Sequence, residues 1–308
     1  MPTTTPVRIK QYFLGLALLV PATVLSQEVN QYQHWLDLAA ADQQFARRSE
    51  EIGRNQAFLE VFADDAVVFR NIGPVNARET YTAADFEGSE LRWVAHYIDV
   101  SRAGDMGLTA GPMTVLNPSG EPGENTFGHI ISVWRKHEAK WELAVDLFVT
   151  IPGFLSLEVE PNFADTQPVL DETAHPVMVE NNTLQSLIDA DNLFGLNINF
   201  RGGQRALLRY GMENSRVYLP GMAPAVGAEA ASSVYGAYLD NALETTNPIN
   251  LTYVGGYLST SRDMGYTYGT MTENTEDGES GFHANYLRLW RFTESNEWRI
   301  SVEVLQPF

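Results

Sequence analysis

The sequence predicts an α+β protein made of two tandem copies of one helix-and-sheet unit. Three observations predict it: an ordered internal repeat, helical hydrophobic periodicity at the start of each copy, and strand-like alternation in the rest of each copy. The chain has 308 residues, and at roughly 150 residues per domain this length favours two globular domains. In such a layered unit the sheet buries its apolar face against the helices.

The internal repeat keeps the same order of matching residues in both halves. Ala41-Asp42 with Phe45 is matched by Ala190-Asp191 with Phe194. Further matches pair, in order, Gly53 with Gly202, Ala57 with Ala206, Asp105-Met106-Gly107 with Asp263-Met264-Gly265, Gly111 with Gly269, Met113-Thr114 with Met271-Thr272, Trp134-Arg135 with Trp290-Arg291, and Trp141 with Trp298. The offset between copies grows slightly, which indicates one insertion in the second copy near residues 230–250. Chance similarity would not preserve this order.

Helices open each copy and strands follow. Residues 35–50 place apolar side chains at helical spacing, and Gly53 ends this helix before a second, shorter one. A strand is predicted over 66–70, a turn at Gly73-Pro74, and a third helical stretch near 77–86. Four strands of an antiparallel meander then follow, at about 91–101, 106–116, 125–137 and 141–150. The proline-containing segment 152–182 lacks either periodicity and is predicted to be a linker, so the domains are expected at 29–151 and 183–308.

Residues 1–26 have the features of a secretory signal peptide. Arg8 and Lys10 precede an apolar stretch that is too short to span a bilayer, and Ser26 is a small residue at the expected cleavage position. The alternative is a buried N-terminal helix, which Pro21 would interrupt. We therefore expect a secreted or periplasmic protein with no membrane segment after the signal is removed.

Composition excludes several function classes. With no cysteine, disulfides, thiolate zinc sites and cysteine nucleophiles are excluded. The chain has 20 Lys and Arg against 39 Asp and Glu, a net charge of −19, which argues against a nucleic-acid partner. Its histidines lack close ligand spacing, and phosphate-loop and serine-hydrolase motifs are missing, so neither a metal nor a cofactor is predicted. The acidic turn of Glu273, Glu276, Asp277 and Glu279 could hold calcium loosely, with a solvated hairpin tip as the alternative.

The repeated segments resemble the SnoaL-like domain of the nuclear transport factor 2-like superfamily. The resemblance lies in residues 62–67, 100–111, 128–136 and 141–146. The second copy repeats it at 261–269, 286–291 and 298–303, while its counterpart of the first segment, 211–216, is degraded. The resemblance implies two cone-shaped, cystatin-like domains, each a curved antiparallel sheet wrapped on its N-terminal helices, with an open-ended pocket inside. Members include isomerases, cyclases, dehydratases, epoxide hydrolases and proteins that only bind ligands or form dimers, so no reaction follows from the fold.

The catalytic groups of ketosteroid-isomerase-like members are missing from both copies. The resemblance implies a carboxylate after the first strand and a tyrosine on the first helix. The first copy has Phe69-Arg70-Asn71 and Phe45 or Ala46 at these positions, and the second has Tyr218-Leu219-Pro220 and Phe194 or Gly195. An isomerase of that particular kind is therefore not expected.

Histidine is the remaining candidate for acid–base catalysis, since its pKa lies close to neutral pH. Alternation puts His129 with Ile131 and Val133 on one face of its strand, and His283 with Asn285 on the equivalent face. If that face lines the cone, His129 and His283 are the catalytic candidates. The alternative is an imidazole packed at the pocket mouth or at an interface.

Ligand-binding candidates come mainly from the second copy, which is rich in tyrosine. Tyrosine offers an apolar body with a polar tip, which suits an amphipathic ligand. The predicted ligand-binding residues are His96, Asn285, Tyr253, Tyr257, Tyr268, Tyr286 and Arg288. The alternative for half of the tyrosines is an outer cross-strand ladder.

Asp146 and Glu303 hold equivalent positions in the last strand of each copy. Strict alternation sends both away from the apolar face, so we expect them to point outward and to pair with Arg135 or Arg291 on a neighbouring strand. A β-bulge would reverse this orientation.

Three functions remain open. The first is binding of a small apolar or amphipathic molecule in the second cone, with the first copy partly structural. The second is an isomerase, cyclase or hydrolase that uses His129 or His283 as acid and base. The third is an assembly module. Family members commonly dimerise through their sheets, so the resemblance also implies that the two copies pack as an intramolecular pseudo-dimer.

Overall fold

A computed structural model describes residues 23–84, 88–117, 125–153, 159–166, 182–243, 248–274 and 281–308, with side chains from residue 31 onward. Most of the predicted signal segment, 1–26, lies outside the described residues. Two helix-and-sheet units follow each other along the described chain. The predicted α+β fold class is confirmed.

The first unit consists of three helices and a seven-stranded sheet. Its elements are α1 (Thr23–Ile52), α2 (Arg54–Val61), β1 (Phe62–Arg70), β2 (Gly73–Asn76), α3 (Ala77–Ala83), β3 (Glu90–Trp93), β4 (Tyr97–Val100), β5 (Met106–Leu116), β6 (Thr126–His137) and β7 (Lys140–Ile151). The strand predicted over 91–101 is thus divided into β3 and β4, which both pair with β5.

The second unit consists of three helices and a six-stranded sheet. A short 3-10 helix, Phe163–Asp165, precedes it. Its elements are α4 (Leu184–Arg201), α5 (Gly203–Tyr210), β8 (Gly211–Tyr218), β9 (Ala225–Val226), α6 (Ala228–Ala242), β10 (Ile249–Leu258), β11 (Met264–Glu273), β12 (His283–Phe292) and β13 (Trp298–Pro307). The predicted insertion near 230–250 falls on α6, which is longer than α3.

One glycine in each unit separates the first two helices, as the sequence predicts. Gly53 has a φ of 85° between α1 and α2, and Gly202 has a φ of 78° between α4 and α5. Other residues adopt such angles only at a steric cost. The glycine therefore lets the second helix start in a new direction.

The first and last strands of each unit lie side by side and run parallel. The order is β2-β1-β7-β6-β5-β3 in the first sheet and β10-β11-β12-β13-β8-β9 in the second. The pairs β1 with β7 and β8 with β13 are parallel, and the other pairs are antiparallel. Each sheet is therefore mixed, where the sequence predicts a purely antiparallel one. The parallel pairing arises because most of each unit lies between the two strands and serves as the long connection that a parallel pair needs.

A one-residue bulge lies at the same place in the last strand of each unit. The register shifts leave Ala144 as the extra residue on β7 and Ser301 as the extra residue on β13. An extra residue moves every following side chain to the opposite face. Asp146 and Glu303 therefore point toward the helices of their units, and the expectation that they point outward is wrong.

The sheets are apolar on both faces. On one face each sheet packs against its own helices, and we call the space between them the interior of the unit. The first interior is built around Phe45, Phe58, Trp93, Trp134 and Leu143, and the second around Phe194, Leu207, Tyr235, Trp290 and Ile300. A third cluster, here called the intersheet cluster, combines the other faces of both sheets and includes Met106, Ile131, Val133, Leu147, Tyr218, Met264, Leu289 and Val302.

Charged groups accompany the intersheet cluster. The buried Arg291 forms ion pairs with Asp99 of the first unit and, at 2.6 Å, with Asp263 of its own unit. Thr260 N donates to Asp105 Oδ2 across the units at 2.8 Å. Apolar packing, an ion-pair network and backbone hydrogen bonds therefore all link the two units.

Across the described ranges, no helix combines the length and apolar character needed to cross a membrane.

Candidate functional site

The first interior contains a chain of three buried, hydrogen-bonded side chains. Trp134 Nε1 donates to Thr109 Oγ1 at 3.0 Å, and Thr109 Oγ1 donates to Asp42 Oδ1 at 2.7 Å. Asp42 lies on α1 and is 3% exposed. A carboxylate of the first helix is thus held against the sheet.

The second interior repeats this chain. Trp290 Nε1 donates to Thr267 Oγ1 at 2.9 Å, and Thr267 Oγ1 donates to Asp191 Oδ1 at 3.1 Å. The Tyr286 hydroxyl also donates to Asp191 Oδ2, at 2.7 Å.

Arg288 occupies the centre of the second interior. Its Nη1 donates to Asp191 at 2.7 Å, while its Nε and Nη2 donate to the two oxygens of Glu303 at 2.6 and 3.2 Å. The guanidinium also lies 4.0 Å from the ring centroid of Tyr286 and 4.7 Å from that of Phe194. These residues are 0–1% exposed. A bidentate pair with one carboxylate and a contact with a second satisfy the guanidinium inside the protein.

The first unit has a serine where the second has this arginine. Ser132 and Arg288 each lie two residues before the matched tryptophan, and each faces the equivalent acid, Asp146 or Glu303, across the strands. Ser132 Oγ donates to Asp146 Oδ1 at 2.7 Å. The other oxygen, Asp146 Oδ2, is buried and has no hydrogen-bond partner among the described residues. The buried carboxyl group is therefore only half satisfied.

A cavity of about 290 Å³ lies beside Asp146. Ser132 pairs with Asp146 at the edge of this cavity, at the position that the larger Arg288 occupies in the second unit. Apolar and charged side chains of four strands and one helix line it: Arg54, Phe69, Arg70, Asn71, Met113, Val115, Asp146, Phe148 and Gln306.

The second unit supplies one wall of this cavity. Gln306 of β13 donates through Nε2 to Phe148 O at 2.7 Å and accepts from Asn285 Nδ2 at 3.0 Å. Asn285 Nδ2 also lies 3.1 Å from Arg70 O. The cavity of the first unit is thus completed by a neutral amide held in place across the units.

Arg54 brings a positive charge to the cavity from the helical side. It is the first residue of α2, donates to the Tyr81 hydroxyl at 3.1 Å, and lies 4.9 Å from the ring centroid of Phe148. The second unit has Gly203 at this position, where an added Cβ would lie 2.8 Å from Leu239. The two units therefore introduce their interior arginine from different elements.

Two buried carboxyl groups of the first interior have raised pKa values. Burial raises the pKa of Asp146 to about 7, partly opposed by its hydrogen bond from Ser132 and by the attraction of Arg54 and Arg70. Burial raises the pKa of Asp42 to about 6, opposed by its hydrogen bond from Thr109. Near neutral pH Asp146 therefore exists in both its neutral and ionised forms.

The arrangement suits a small amphipathic molecule. Phe69, Met113 and Phe148 offer apolar surface, and Asp146 offers an oxygen that can accept a hydrogen bond. A carboxyl with a pKa near 7 can also give or take a proton.

A larger groove, of about 760 Å³, lies on the outer surface of the second unit. It is bordered by α4, α5 and the turn between β12 and β13, with Leu193, Leu208 and Trp298 among its walls. Within the described chain, the carboxylate oxygen that is buried without a hydrogen bond belongs to Asp146. We therefore place the candidate site in the smaller cavity.

The histidines predicted to be catalytic do not face either interior. His129 is 2% exposed and packs edge-on against Tyr218 of the other sheet, with ring centroids 5.5 Å apart. Burial lowers its pKa to about 4. His283 begins β12 and lies near Phe308, at 6.0 Å between ring centroids. Their face of β6 and β12 does not line a cone, because it packs between the sheets, and His129 corresponds to the stated alternative of an imidazole packed at an interface.

The predicted ligand-binding tyrosines divide between the two faces of the second sheet. Tyr257 and Tyr268 each stack with Tyr266 on the side of the intersheet cluster, where Tyr268 also meets Phe69 at 6.0 Å. They correspond to the cross-strand ladder that the sequence left as an alternative. Tyr253 is partly buried on β10.

Tyr286 and Arg288 point into the second interior, where they are paired with Asp191 and Glu303. His96 is partly buried between β3 and β4. None of the seven predicted ligand-binding residues, all of them described, lines the 290 Å³ cavity, although Asn285 holds Gln306 at its edge.

The expected partners of the last-strand acids also differ. Arg135 pairs with Asp65, and Arg291 pairs with Asp99 and Asp263. Glu303 pairs with Arg288 instead. The bulges are the reason, because they turn both acids to the face opposite Arg135 and Arg291.

Sequence reasoning missed Arg54, Arg70 and Ser132 as site residues. One signal for Ser132 was present: the matched tryptophans align Ser132 with Arg288, so an arginine in one copy faces a small residue in the other. No comparable signal marks Arg54, whose counterpart is a glycine.

In the part of the chain that the structure describes, no cluster of histidine and acidic residues could hold a metal ion. Of the acidic turn considered for calcium, Glu276, Asp277 and Glu279 lie outside the described residues, and Glu273 accepts a hydrogen bond from Phe282 N at 2.9 Å.

No protein-family model and no curated protein matches the chain. Solved structures are similar to parts of it. A ketosteroid isomerase-like protein from Erwinia carotovora atroseptica is 16% identical, with a TM-score of 0.34 over 41% of this chain and 95% of its own. A protein with a cystatin-like fold from Nostoc punctiforme is 12% identical, with a TM-score of 0.32 over 40% and 90%. ActVI-ORFA from Streptomyces coelicolor is 8% identical, with a TM-score of 0.33 over 40% and 95%.

Proposed function

We propose that this chain is an exported tandem SnoaL-like protein that binds a small amphipathic molecule in the interior cavity of its first unit. The observation that carries this proposal is the half-satisfied Asp146 beside a 290 Å³ cavity, at the position where the second unit has a buried arginine. Export is supported by the signal-like features of residues 1–26, and SnoaL-like character by the repeated segments around Trp134 and Trp290.

A ligand would complete the hydrogen bonding of Asp146. A buried polar group without a partner costs about 1–3 kcal/mol, and more when it is charged. A ligand group that donates to Oδ2 when Asp146 is ionised, or accepts from it when Asp146 is neutral, would remove that cost. The cavity volume of about 290 Å³ lies just below the usual range for ligand pockets, roughly 300–1,000 Å³, which favours a small molecule over a peptide.

The second unit is better suited to a structural role. Its interior charges are already paired with one another, and Arg288 takes the space that a ligand would need. We therefore assign ligand binding to the first cone, although the sequence alone favoured the second, and we propose that the two units form an intramolecular pseudo-dimer in which Gln306 helps to enclose the site.

Replacing Ser132 by arginine tests ligand binding. S132R places in the first interior the group that fills the second, so bound molecules should be lost while the fold is kept. Native mass spectrometry of protein purified without denaturation, together with thermal-shift screening of a library of small amphipathic molecules, measures the loss. S132A is the matched control, since it keeps the cavity open and should keep the ligands.

Two results would count against binding in the first cone. Ligands that bind S132R as tightly as the unmodified protein would place the site elsewhere. Should S132R fail to fold, V115W narrows the same cavity from β5, and full binding by V115W would lead to the same conclusion.

A second function, acid–base catalysis, is favoured by the pKa of Asp146, since a group with a pKa near the working pH is suited to proton transfer. The isomerase, cyclase or hydrolase considered from sequence would then use Asp146 in place of a histidine. On a substrate found among the ligands, D146N should abolish turnover while leaving binding measurable. Unchanged turnover by D146N would rule out this mechanism.

A further inference from the structure

The candidate cavity concentrates positive charge inside an acidic protein. The chain carries 39 acidic and 20 basic residues, yet two arginines, Arg54 and Arg70, and one acid, Asp146, line the cavity. An arginine stays charged at all ordinary pH values. The lining charge is therefore +1 when Asp146 is ionised and +2 when it is neutral.

The Arg70 side chain donates one hydrogen bond among the described residues. It ends β1, is partly buried, and donates through Nη1 to Phe69 O at 2.9 Å. No described carboxylate lies within ion-pair distance of it, although the chain pairs Arg135, Arg216, Arg288 and Arg291 with acids. A guanidinium has five N–H donors in a planar fork that fits a carboxylate. Arg70 therefore keeps most of its capacity for an anionic group.

The wall from the second unit is neutral. Gln306 borders the cavity with an amide that Asn285 holds in place. Thus the second unit adds no negative charge at this edge, and the remaining lining is mostly apolar: Phe69, Met113, Val115 and Phe148.

Building on the proposed binding function, we infer that the ligand is a small organic acid. Its carboxylate is held by Arg70, with Arg54 of α2 adding positive charge, and its apolar body packs against Phe69, Met113 and Phe148. An aromatic or short aliphatic body with one carboxylate fits the volume and the charge of the cavity.

Three probes with one body and different charges test the charge preference. They are 3-phenylpropanoate, 3-phenylpropanamide and 3-phenylpropylamine, titrated into the full chain and measured by isothermal calorimetry or by protein-observed NMR at pH 7. We expect the acid to bind at least tenfold more tightly than the amide, and the amine to bind most weakly. Equal or tighter binding of the amide or the amine would overturn the acid assignment and leave the proposed cavity site intact. Failure of all three to bind would also overturn it.

Replacing Arg70 by glutamine tests the anchor. R70Q should weaken binding of 3-phenylpropanoate at least tenfold and leave binding of the amide within twofold. R205Q is the matched control, since Arg205 lies exposed on α5 and the variant makes the same change in net charge. Should R70Q bind the acid as tightly as R205Q does, Arg70 is not the anchor and the inference fails. The V115W experiment separates this failure from failure of the proposed function, because V115W narrows the cavity without changing its charge.

Discussion

The two units share one architecture but treat their interiors differently. Both keep a tryptophan, a threonine and an aspartate in one hydrogen-bonded chain, and both keep an acid after a bulge in the last strand. The second unit neutralises its two acids with Arg288, whereas the first has Ser132 there and a cavity beside it. Duplication of a single scaffold therefore permits one copy to be packed solid and the other to stay open.

The difference shows how a binding site and a structural core can use the same positions. In the second unit, the Arg288 side chain occupies the interior, and every carboxylate oxygen of Asp191 and Glu303 accepts a hydrogen bond. In the first, Asp146 keeps one oxygen without a partner among the described residues. An open interior that has unsatisfied groups favours ligand binding at the expense of stability, while a closed one favours stability.

Removing Arg288 should produce the largest effect on stability. R288S leaves Asp191 and Glu303 buried without their guanidinium, and breaking a buried ion pair costs about 3–5 kcal/mol. We expect the free energy of unfolding, measured by urea denaturation, to fall by that amount. R205S serves as the control, since its side chain is exposed, and should change the value by less than about 0.5 kcal/mol. A loss below about 1 kcal/mol in R288S would mean that this charge cluster is not what holds the second interior together.

The sequence was sufficient to predict the duplication, the helices-then-strands order and the α+β class, because these depend on repeats and periodicity. It was insufficient for the faces of the sheet. Both faces of β6 and β12 are apolar, so hydrophobicity could not tell the interior from the intersheet cluster, and the side on which His129 lies stayed open. The bulges at Ala144 and Ser301 have no marked sequence signal, yet they reverse Asp146 and Glu303.

The cavity could not be predicted from the sequence of either copy alone, for a similar reason. Its lining joins α2, three strands of the first unit and β13 of the second unit. Such a combination depends on how the sheets pack, which local patterns do not encode. Comparing the copies position by position was the one route to Ser132.

The pH dependence of stability tests whether Asp146 is as isolated in the first interior as its contacts indicate. The folded-state pKa of Asp146 is raised to about 7 from an ordinary value of 3.8. Between these values the folded protein keeps a proton that the unfolded chain has lost, so stability falls as the pH rises from about 4 to about 7. One pKa unit corresponds to about 1.4 kcal/mol.

D146N should remove much of this slope. Relative to the unmodified protein, we expect D146N to gain roughly 2–4 kcal/mol in free energy of unfolding on going from pH 4.5 to pH 8. The slopes due to Asp42, whose pKa is raised to about 6, and to Glu303, whose pKa is raised to about 7 by burial, should remain. D64N, which removes a fully exposed charge, is the control and should follow the unmodified curve. Parallel curves for D146N and D64N would show that Asp146 is not the group responsible.

The smallest expected effect is a difference in stability between two variants, each of which changes the threonine in one of the shared hydrogen-bonded chains. T109V removes the hydroxyl that hydrogen-bonds to Asp42, and T267V removes the one that bonds to Asp191. Asp191 retains bonds from Tyr286 and Arg288, at 2.7 Å each, whereas Asp42 keeps the neighbouring Trp93 indole and has no arginine or tyrosine donor among the described residues. Since an unsatisfied buried acceptor costs about 1–3 kcal/mol and a typical hydrogen bond contributes about 1 kcal/mol, T109V should destabilise the protein by roughly 1 kcal/mol more than T267V. Both variants also leave the matched tryptophan N–H without its acceptor, so that cost cancels between them.

Urea denaturation at pH 8, where Asp42 is ionised, measures the difference in free energy of unfolding. An equal or larger loss in T267V would show that Arg288 and Tyr286 do not compensate Asp191. The two interiors would then differ less than their contacts indicate.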